Sequence, residues 1–367
     1  MKLKSVDDLM RSAVAEKVFP GAVLLVAHDD EVLHYEAYGW ADLFSRRQMK
    51  RDTLFDLASL TKPLASAVSI MQLVQQERVD LDGPIAQYCP QLDGTDKGRL
   101  VLRHLLSHRS GLPAWRPYYM RLQHLPADKR LATLRHWLIL EPLQRRPGEG
   151  ADYSDLGYML LQWIVEVITG RSFNRYVDEA IYQPLGIKQL CFPGMNRNLA
   201  RELFAATELC PWRNRLLVGQ VHDDNAYAIG GIAGHAGLFG SARAIYDLLQ
   251  KLLDAERGQN RQAFFSREIV QLFFQPQAGS TWALGFDTPS AQGSSSGTRF
   301  SEQSIGHLGF SGTSFWVDRR QSVIVVLLTN RIHPTRFNTR IREFRPLLHD
   351  CIMAAVLKRR HRENSTP

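Results

Sequence analysis

The sequence predicts an α+β fold (an α/β sandwich): an antiparallel sheet built from both chain ends, flanked by terminal helices, with a helix-rich lobe inserted between them. Three observations carry this. Residues 22 to 28 and 31 to 38 are apolar or alternating runs split by the polar His28-Asp29-Asp30, the pattern of a β-hairpin. Residues 314 to 317 and 322 to 328 repeat it late in the chain, around Asp318-Arg319-Arg320-Gln321. Between the two hairpins the apolar residues recur mostly at helical spacing, among many Gly and Pro. Strands from the two ends can share one sheet, and a cleft is then expected where the helical lobe meets it.

Taken in order, Val6, Leu9, Met10, Ala13 and Val14 fall on one face of a helix over residues 5 to 17, which Pro20-Gly21 ends. Residues 59 to 76 form an apolar-periodic helix, and residues 80 to about 280 are rich in helices and loops. After Pro346, which suits a first helical turn, Leu348, Ile352 and Val356 mark a closing helix. The expected organisation is one domain, with a sheet lobe over about 1–58 and 281–367 and a helix-rich lobe over about 59–280.

With 367 residues, 44% of them apolar, the chain can bury a substantial core. Its cysteines, at 89, 191, 210 and 351, lack Cys-x-x-Cys spacing, so reduced thiols are expected rather than a zinc knuckle or redox pair. The net charge of +8 comes mostly from single or paired basic residues. Only Lys358-Arg359-Arg360-His361-Arg362 forms a run, which suits a solvated helix end, so nucleic acid is not an expected partner. No stretch approaches the ~20 apolar residues that span a bilayer. Asp7 and Asp8 interrupt the basic N-terminus before any leader-like apolar run, and a cytoplasmic location is the expectation, a periplasmic one needing a missing leader.

Ser59-Leu60-Thr61-Lys62 opens the second helix, and spacing three apart puts serine and lysine on one face. Pro63 fixes the start, because proline is tolerated only in a first turn. Backbone N–H groups there point at any oxyanion formed on the serine. Farther on, Pro147 to Tyr158 is a turn running into an amphipathic helix that delivers Tyr153. A tyrosine beside a lysine ammonium has its phenolate favoured, which suits a general base. His307-Leu308-Gly309-Phe310-Ser311-Gly312 then precedes a strand, where glycine lets a backbone N–H approach a substrate carbonyl.

These three elements, in this order, resemble the family of class C β-lactamases, D,D-carboxypeptidases, D-aminopeptidases and related esterases. The resemblance extends to Thr53-Leu54-Phe55, Arg103 to Leu112, Pro184-Leu185-Gly186-Ile187 and Gly237-Leu238-Phe239-Gly240-Ser241, and covers roughly residues 10 to 355. Val221-His222-Asp223-Asp224-Asn225-Ala226 and Gly230 to Phe239 look like the branch that includes cytoplasmic muropeptide amidases. It implies a β-lactamase/transpeptidase-like fold and an acyl-enzyme on Ser59, with Lys62 and Tyr153 taking the serine proton. The N–H groups of Ser59 and Phe310 would form the oxyanion hole; Asp155, His307 and Gly309 would bind substrate; Tyr118 and His235 are candidates to line the cleft.

Two positions depart from the commonest family pattern. Asp155 stands where Asn is usual, making an acceptor-only carboxylate that should hold Lys62 protonated. His307 stands where Lys is usual and grips a carboxylate less firmly. Both argue for an amide or ester substrate, small or peptide-like, over penicillins. Two other readings are a muropeptide or D-amino-acid amidase or D,D-peptidase, and a non-catalytic binder of peptidoglycan fragments. No cofactor is expected and no metal: His104 and His108 lack the zinc-protease glutamate, and although His222, Asp223 and His235 could gather around an ion, a histidine in a Gly-rich turn is more often a hydrogen-bonded structural residue.

Overall fold

The computed structural model describes residues 3–193, 199–259 and 264–363, with side chains described as far as residue 358. A six-stranded antiparallel sheet runs in the order Arg47–Gln48, Glu31–Asp42, Gly21–His28, Val323–Thr329, Ser314–Asp318, Ile305–Leu308. Its central pair joins the two ends of the chain, in a register from Ala22 opposite Thr329 to His28 opposite Val323. Both expected hairpins are present.

Every residue from Gly21 to Ala27 is buried, because the sheet is covered on both faces. The two-residue period of a strand divides them. Ala22, Leu24 and Val26 pack with Val6, Met10, Leu348 and Ile352 of the terminal helices, Lys4–Ala15 and Ile341–Glu363. Val23, Leu25 and Ala27 join the larger core under the helical lobe, with Leu57, Leu60, Leu64 and Phe315. Truncating one such side chain, as in Leu24→Ala, removes about 2–5 kcal/mol.

The closing helix begins at Ile341, so Pro346 lies inside it and not in its first turn. It therefore forgoes the bond its N–H would have made to the carbonyl four residues back. The arginine and histidine side chains of the basic run, 359 to 362, lie outside those described. The helix-rich middle also holds short ladders that two- to five-residue runs do not announce. Phe239–Gly240 pairs with Phe55–Asp56 and with Leu190–Cys191, and Ala206–Cys210 pairs with Arg215–Val218. All four cysteines are free. Among the described residues no helix is long and apolar enough to cross a membrane.

Candidate active site

Ser59 sits in a tight 3₁₀ turn, Ala58–Leu60, that passes through a wide turn over Lys62–Ala67 into the helix Val68–Gln75. Pro63, having no N–H to place, falls at the start of the wide turn. Ala58 adopts a left-handed φ of +47°, which a Cβ disfavours by about 1–2 kcal/mol. The surroundings hold it there. Ala58 N–H donates to Asp56 Oδ1 at 2.9 Å, Thr61 Oγ1 donates to the Ala58 carbonyl at 2.6 Å, and Leu238 N–H donates to Thr61 Oγ1 at 3.2 Å. The other Asp56 oxygen accepts the His222 N–H at 2.6 Å, so one buried carboxylate ties the serine turn to a segment 166 residues away. Burial pushes the Asp56 carboxyl up, and these backbone N–H groups pull against it.

Lys62 is fully buried, with Nζ 3.2 Å from Ser59 Oγ, 2.7 Å from Asp155 Oδ1 and 3.4 Å from the His235 carbonyl. It also lies over the Tyr153 ring, 4.5 Å from the centroid. Burial alone would push the ammonium down. The Asp155 carboxylate and the neighbouring Tyr153 outweigh it, and the lysine stays above its ordinary value of 10.5.

Asp155 opens the helix Asp155–Thr169, where the positive end of the helix favours an anion. Ser154 caps that helix by accepting the Gly157 N–H at 3.2 Å while donating to the Pro113 carbonyl at 2.7 Å. The Ser154 N–H donates to His108 Nδ1 at 3.0 Å. His108 is thus a structural acceptor; burial first, and then Lys62, hold its pKa well down. Tyr153 packs against His108 and Trp282, at 4.5 and 5.4 Å between ring centroids. Its phenol differs from the sequence expectation. Burial raises its pKa more than the Lys62 ammonium and the Ser59 hydroxyl lower it, so the resting phenolate is not favoured.

The turn 307 to 313 is stapled to the serine turn: Ser311 Oγ donates to the Asp56 carbonyl at 2.7 Å and Thr313 Oγ1 to the Leu57 carbonyl at 3.1 Å. Gly309 is a packing requirement rather than a substrate contact. A Cβ there would meet Thr313 Oγ1 at 2.0 Å and the Leu57 carbonyl at 2.6 Å, and its N–H already donates to the Thr313 carbonyl. His307 is buried behind Tyr153 and Trp282, away from the cleft wall. Burial, and then Lys62, push its ring down to about 3, so it carries no charge to offer a carboxylate.

A cavity of about 340 Å³ opens on this constellation, with Ser59, Tyr153, Asp155 and Phe310 on its wall beside Trp115, His222, Asp223, Asp224 and Arg336. Tyr118 is not on it. Its ring packs on Trp137 and its hydroxyl donates to Glu141 Oε2 at 2.7 Å, which makes it lobe core. His235 is also buried off the wall and acts through its carbonyl on Lys62, while its Nε2 lies 3.1 Å from Asp223 Oδ1. Asp155, Asp223 and His235 bring ligand-type atoms within 4.8 Å of one another. Asp155 Oδ1 is engaged by the Lys62 ammonium and Asp223 Oδ1 by His235 Nε2, while the buried His235 Nδ1 has no hydrogen-bond partner among the described residues. Sequence reasoning missed Asp56, Glu208 and Arg336. No motif marks them, since each acts across a long separation along the chain.

The family model described as Beta-lactamase matches residues 6–348. A Bacillus subtilis protein named N-acetylmuramyl-L-alanine amidase is 33% identical over 90% of this chain and 81% of its own length. Among solved structures, EstCE1, a hydrolase with promiscuous acyltransferase activity, superposes with a TM-score of 0.75 at 21% identity, covering 95% of this chain and 98% of its own. The octameric penicillin-binding protein homologue from Pyrococcus abyssi gives 0.72 at 19% identity, covering 97% and 77%.

Proposed function

Because the chain belongs to the Beta-lactamase family, we propose that it is a serine hydrolase whose Ser59 is acylated by an amide or ester carbonyl. One observation carries the reading: a fully buried ammonium, Lys62 Nζ, is 3.2 Å from Ser59 Oγ. Burying a lysine costs several kcal/mol unless it is paired, and Asp155 is the partner that maintains its charge. That charge stabilises the alkoxide as Ser59 Oγ attacks the carbonyl carbon. The Ser59 proton passes to Tyr153 in the microstate whose phenol has ionised, and Tyr153 returns it to the leaving group. Backbone N–H groups of Ser59 and Phe310 face the oxyanion. Since Lys62 and Tyr153 are both pushed up, this microstate is a minority at neutral pH and acylation quickens as pH rises.

The wall chemistry bears on substrate. Among the described residues no unpaired cation lines the cavity: Lys62 is matched by Asp155, and Arg336 by Glu208 and Asp224. A penicillin carboxylate would find no counter-charge there, whereas the Asp155 and Asp223 oxygens suit N–H donors. The likeness to the Bacillus subtilis amidase favours, within this reading, the amide of a peptidoglycan-derived fragment.

Intact mass spectrometry of wild type and Ser59→Ala, after exposure to esters, D-amino-acid amides, muropeptides and β-lactams, tests nucleophile and substrate together. The expected result is an adduct on the wild type with an ester or muropeptide amide and none on Ser59→Ala. Turnover unaffected by Ser59→Ala overturns the assignment. Binding of muropeptides without labelling by a fluorophosphonate would instead mark a non-catalytic binding protein of the same fold.

A further inference from the structure

We propose that His222 is a further catalytic residue, accepting a proton from the water that releases the acyl group from Ser59, with Glu208 holding its ring in the tautomer this step needs. The proposal rests on the acyl-enzyme reading above. His222 lines the same cavity as Ser59, Tyr153 and Phe310. Its backbone is fixed to the serine turn by Asp56, whose two oxygens accept the N–H groups of Ala58 and His222. Its ring stacks on Phe310, 5.7 Å between centroids and 20° from parallel, which sets the ring plane.

The second support is the order of protons on that ring. Nε2 lies 3.1 Å from Glu208 Oε2. Glu208 is itself clamped by Arg336, through Nε at 2.8 and 2.9 Å, Nη2 at 2.6 Å and the backbone N–H at 3.1 Å. Burial alone would raise this carboxyl, but the His222 and Arg336 contacts hold it down to about 2, so it is an acceptor only. Facing an oxygen that already accepts from Arg336, Nε2 carries a hydrogen, and in the neutral ring the lone pair is then on Nδ1. Nδ1 has no hydrogen-bond partner among the described residues. A carboxylate behind an imidazole whose far nitrogen is free is the arrangement that orients a general base.

The third support is that the neighbouring candidates are occupied. Lys62 is held as ammonium by Asp155, and burial favours return of Tyr153 to the phenol once it has passed its proton to the leaving group. His307 and His235 are buried off the wall, and His108 accepts the Ser154 N–H. His222 is the imidazole that the cavity wall presents among the described residues.

In the step proposed, a water oxygen bonds to the acyl carbon while its proton moves to His222 Nδ1, leaving an imidazolium paired with Glu208. As the tetrahedral species collapses, the bond from the carbon to Ser59 Oγ breaks and the Nδ1 proton passes to Oγ. The products are a carboxylic acid and free Ser59, with no other reactant.

A p-nitrophenyl ester separates the two half-reactions, since nitrophenolate reports acylation and intact mass reports Ser59 occupancy. For His222→Gln the burst amplitude should remain, steady-state release should fall by roughly 100-fold or more, and acylated Ser59 should persist. Glu208→Gln, which loosens the tautomer without removing the base, should slow the same half-reaction by less and alter its pH profile, leaving the burst intact. Release of the acyl group by His222→Gln at the wild-type rate overturns the proposal. So does wild-type deacylation that does not slow in D₂O, a measurement needing no variant. Turnover of the ester undiminished in Ser59→Ala would sink the acyl-enzyme reading itself, and is a distinguishable result.

Discussion

Asp155→Ala should unmask how the molecule maintains a charged lysine in its interior. In the wild type, Lys62 Nζ is fully buried and Asp155 Oδ1, at 2.7 Å, is its one anionic hydrogen-bond partner among the described residues. Without that carboxylate the ammonium keeps a serine hydroxyl at 3.2 Å, a carbonyl at 3.4 Å and the face of Tyr153, none of them charged. Breaking a buried pair from one side costs about 3–5 kcal/mol, and losing an acidic residue at a helix N-terminus adds about 0.3–1 kcal/mol. At about 2–4 °C per kcal/mol, the melting temperature should drop by roughly 6 °C or more. Asp155→Asn retains an acceptor and should lose less. The pH dependence has a definite sign. The wild-type lysine is raised above 10.5, so its pairing stabilises fully below that value and the contribution is lost as pH rises through the folded value. In the variant, burial is opposed by Tyr153 without the carboxylate and the folded value falls, so the penalty is present at neutral pH and shrinks as the amine sheds its proton. Unfolding followed by circular dichroism at neutral and alkaline pH should show a gap that narrows on going alkaline. Equal stability at neutral pH, or a gap that widens with pH, refutes the reasoning.

Three further outcomes follow from the same geometry. Tyr153→Phe keeps the ring over Lys62 and removes the hydroxyl, so stability should change little while acylation, read by burst kinetics, falls by about 10²–10⁴-fold; a wild-type burst rate would contradict it. Gly309→Ala drives a Cβ into Thr313 and the Leu57 carbonyl and should cost about 1–3 kcal/mol, with activity falling as the Phe310 turn shifts from Ser59; wild-type melting and kinetics together would exclude this. On acidification, Glu208 contributes stability that is present above its ordinary 4.5 and lost as pH falls towards about 2, on the order of 1–2 kcal/mol after solvent screening. Unfolding of Glu208→Gln should accordingly lose that part of the acid slope, and an unchanged slope would refute it.

What the sequence made legible was what short-range periodicity encodes. The run Ala22 to Ala27 reads as a strand because six apolar residues sit between turn signals, and the paired late run reads as its counterpart. Ser59 and Lys62 read as one unit because three residues of helix put them on one face. Pro346 misled, because a packed interior helix can give up one backbone bond that an isolated helix could not. The two-residue strands at Phe55 and Phe239 are too short for alternation to register.

The site divides along the same line. The chain order of Ser59, Tyr153 and His307 is visible in motifs, yet their protonation depends on burial, which no motif states. Tyr153 beside an ammonium looks like a phenolate on paper, and the interior that encloses it reverses the balance. The same enclosure moves His307 from substrate contact to neutral packing, and gives Gly309 a steric reason in place of a binding one. The residues with least sequence signal, Asp56, Glu208 and Arg336, are those that bridge distant segments: Asp56 joins the serine turn to His222, and Arg336 fixes Glu208 across 128 positions. A candidate nucleophile can be announced by its neighbours along the chain. The groups that fix which atoms around it hold protons are assembled by the fold, so at this site ionisation states have to be read from the tertiary structure.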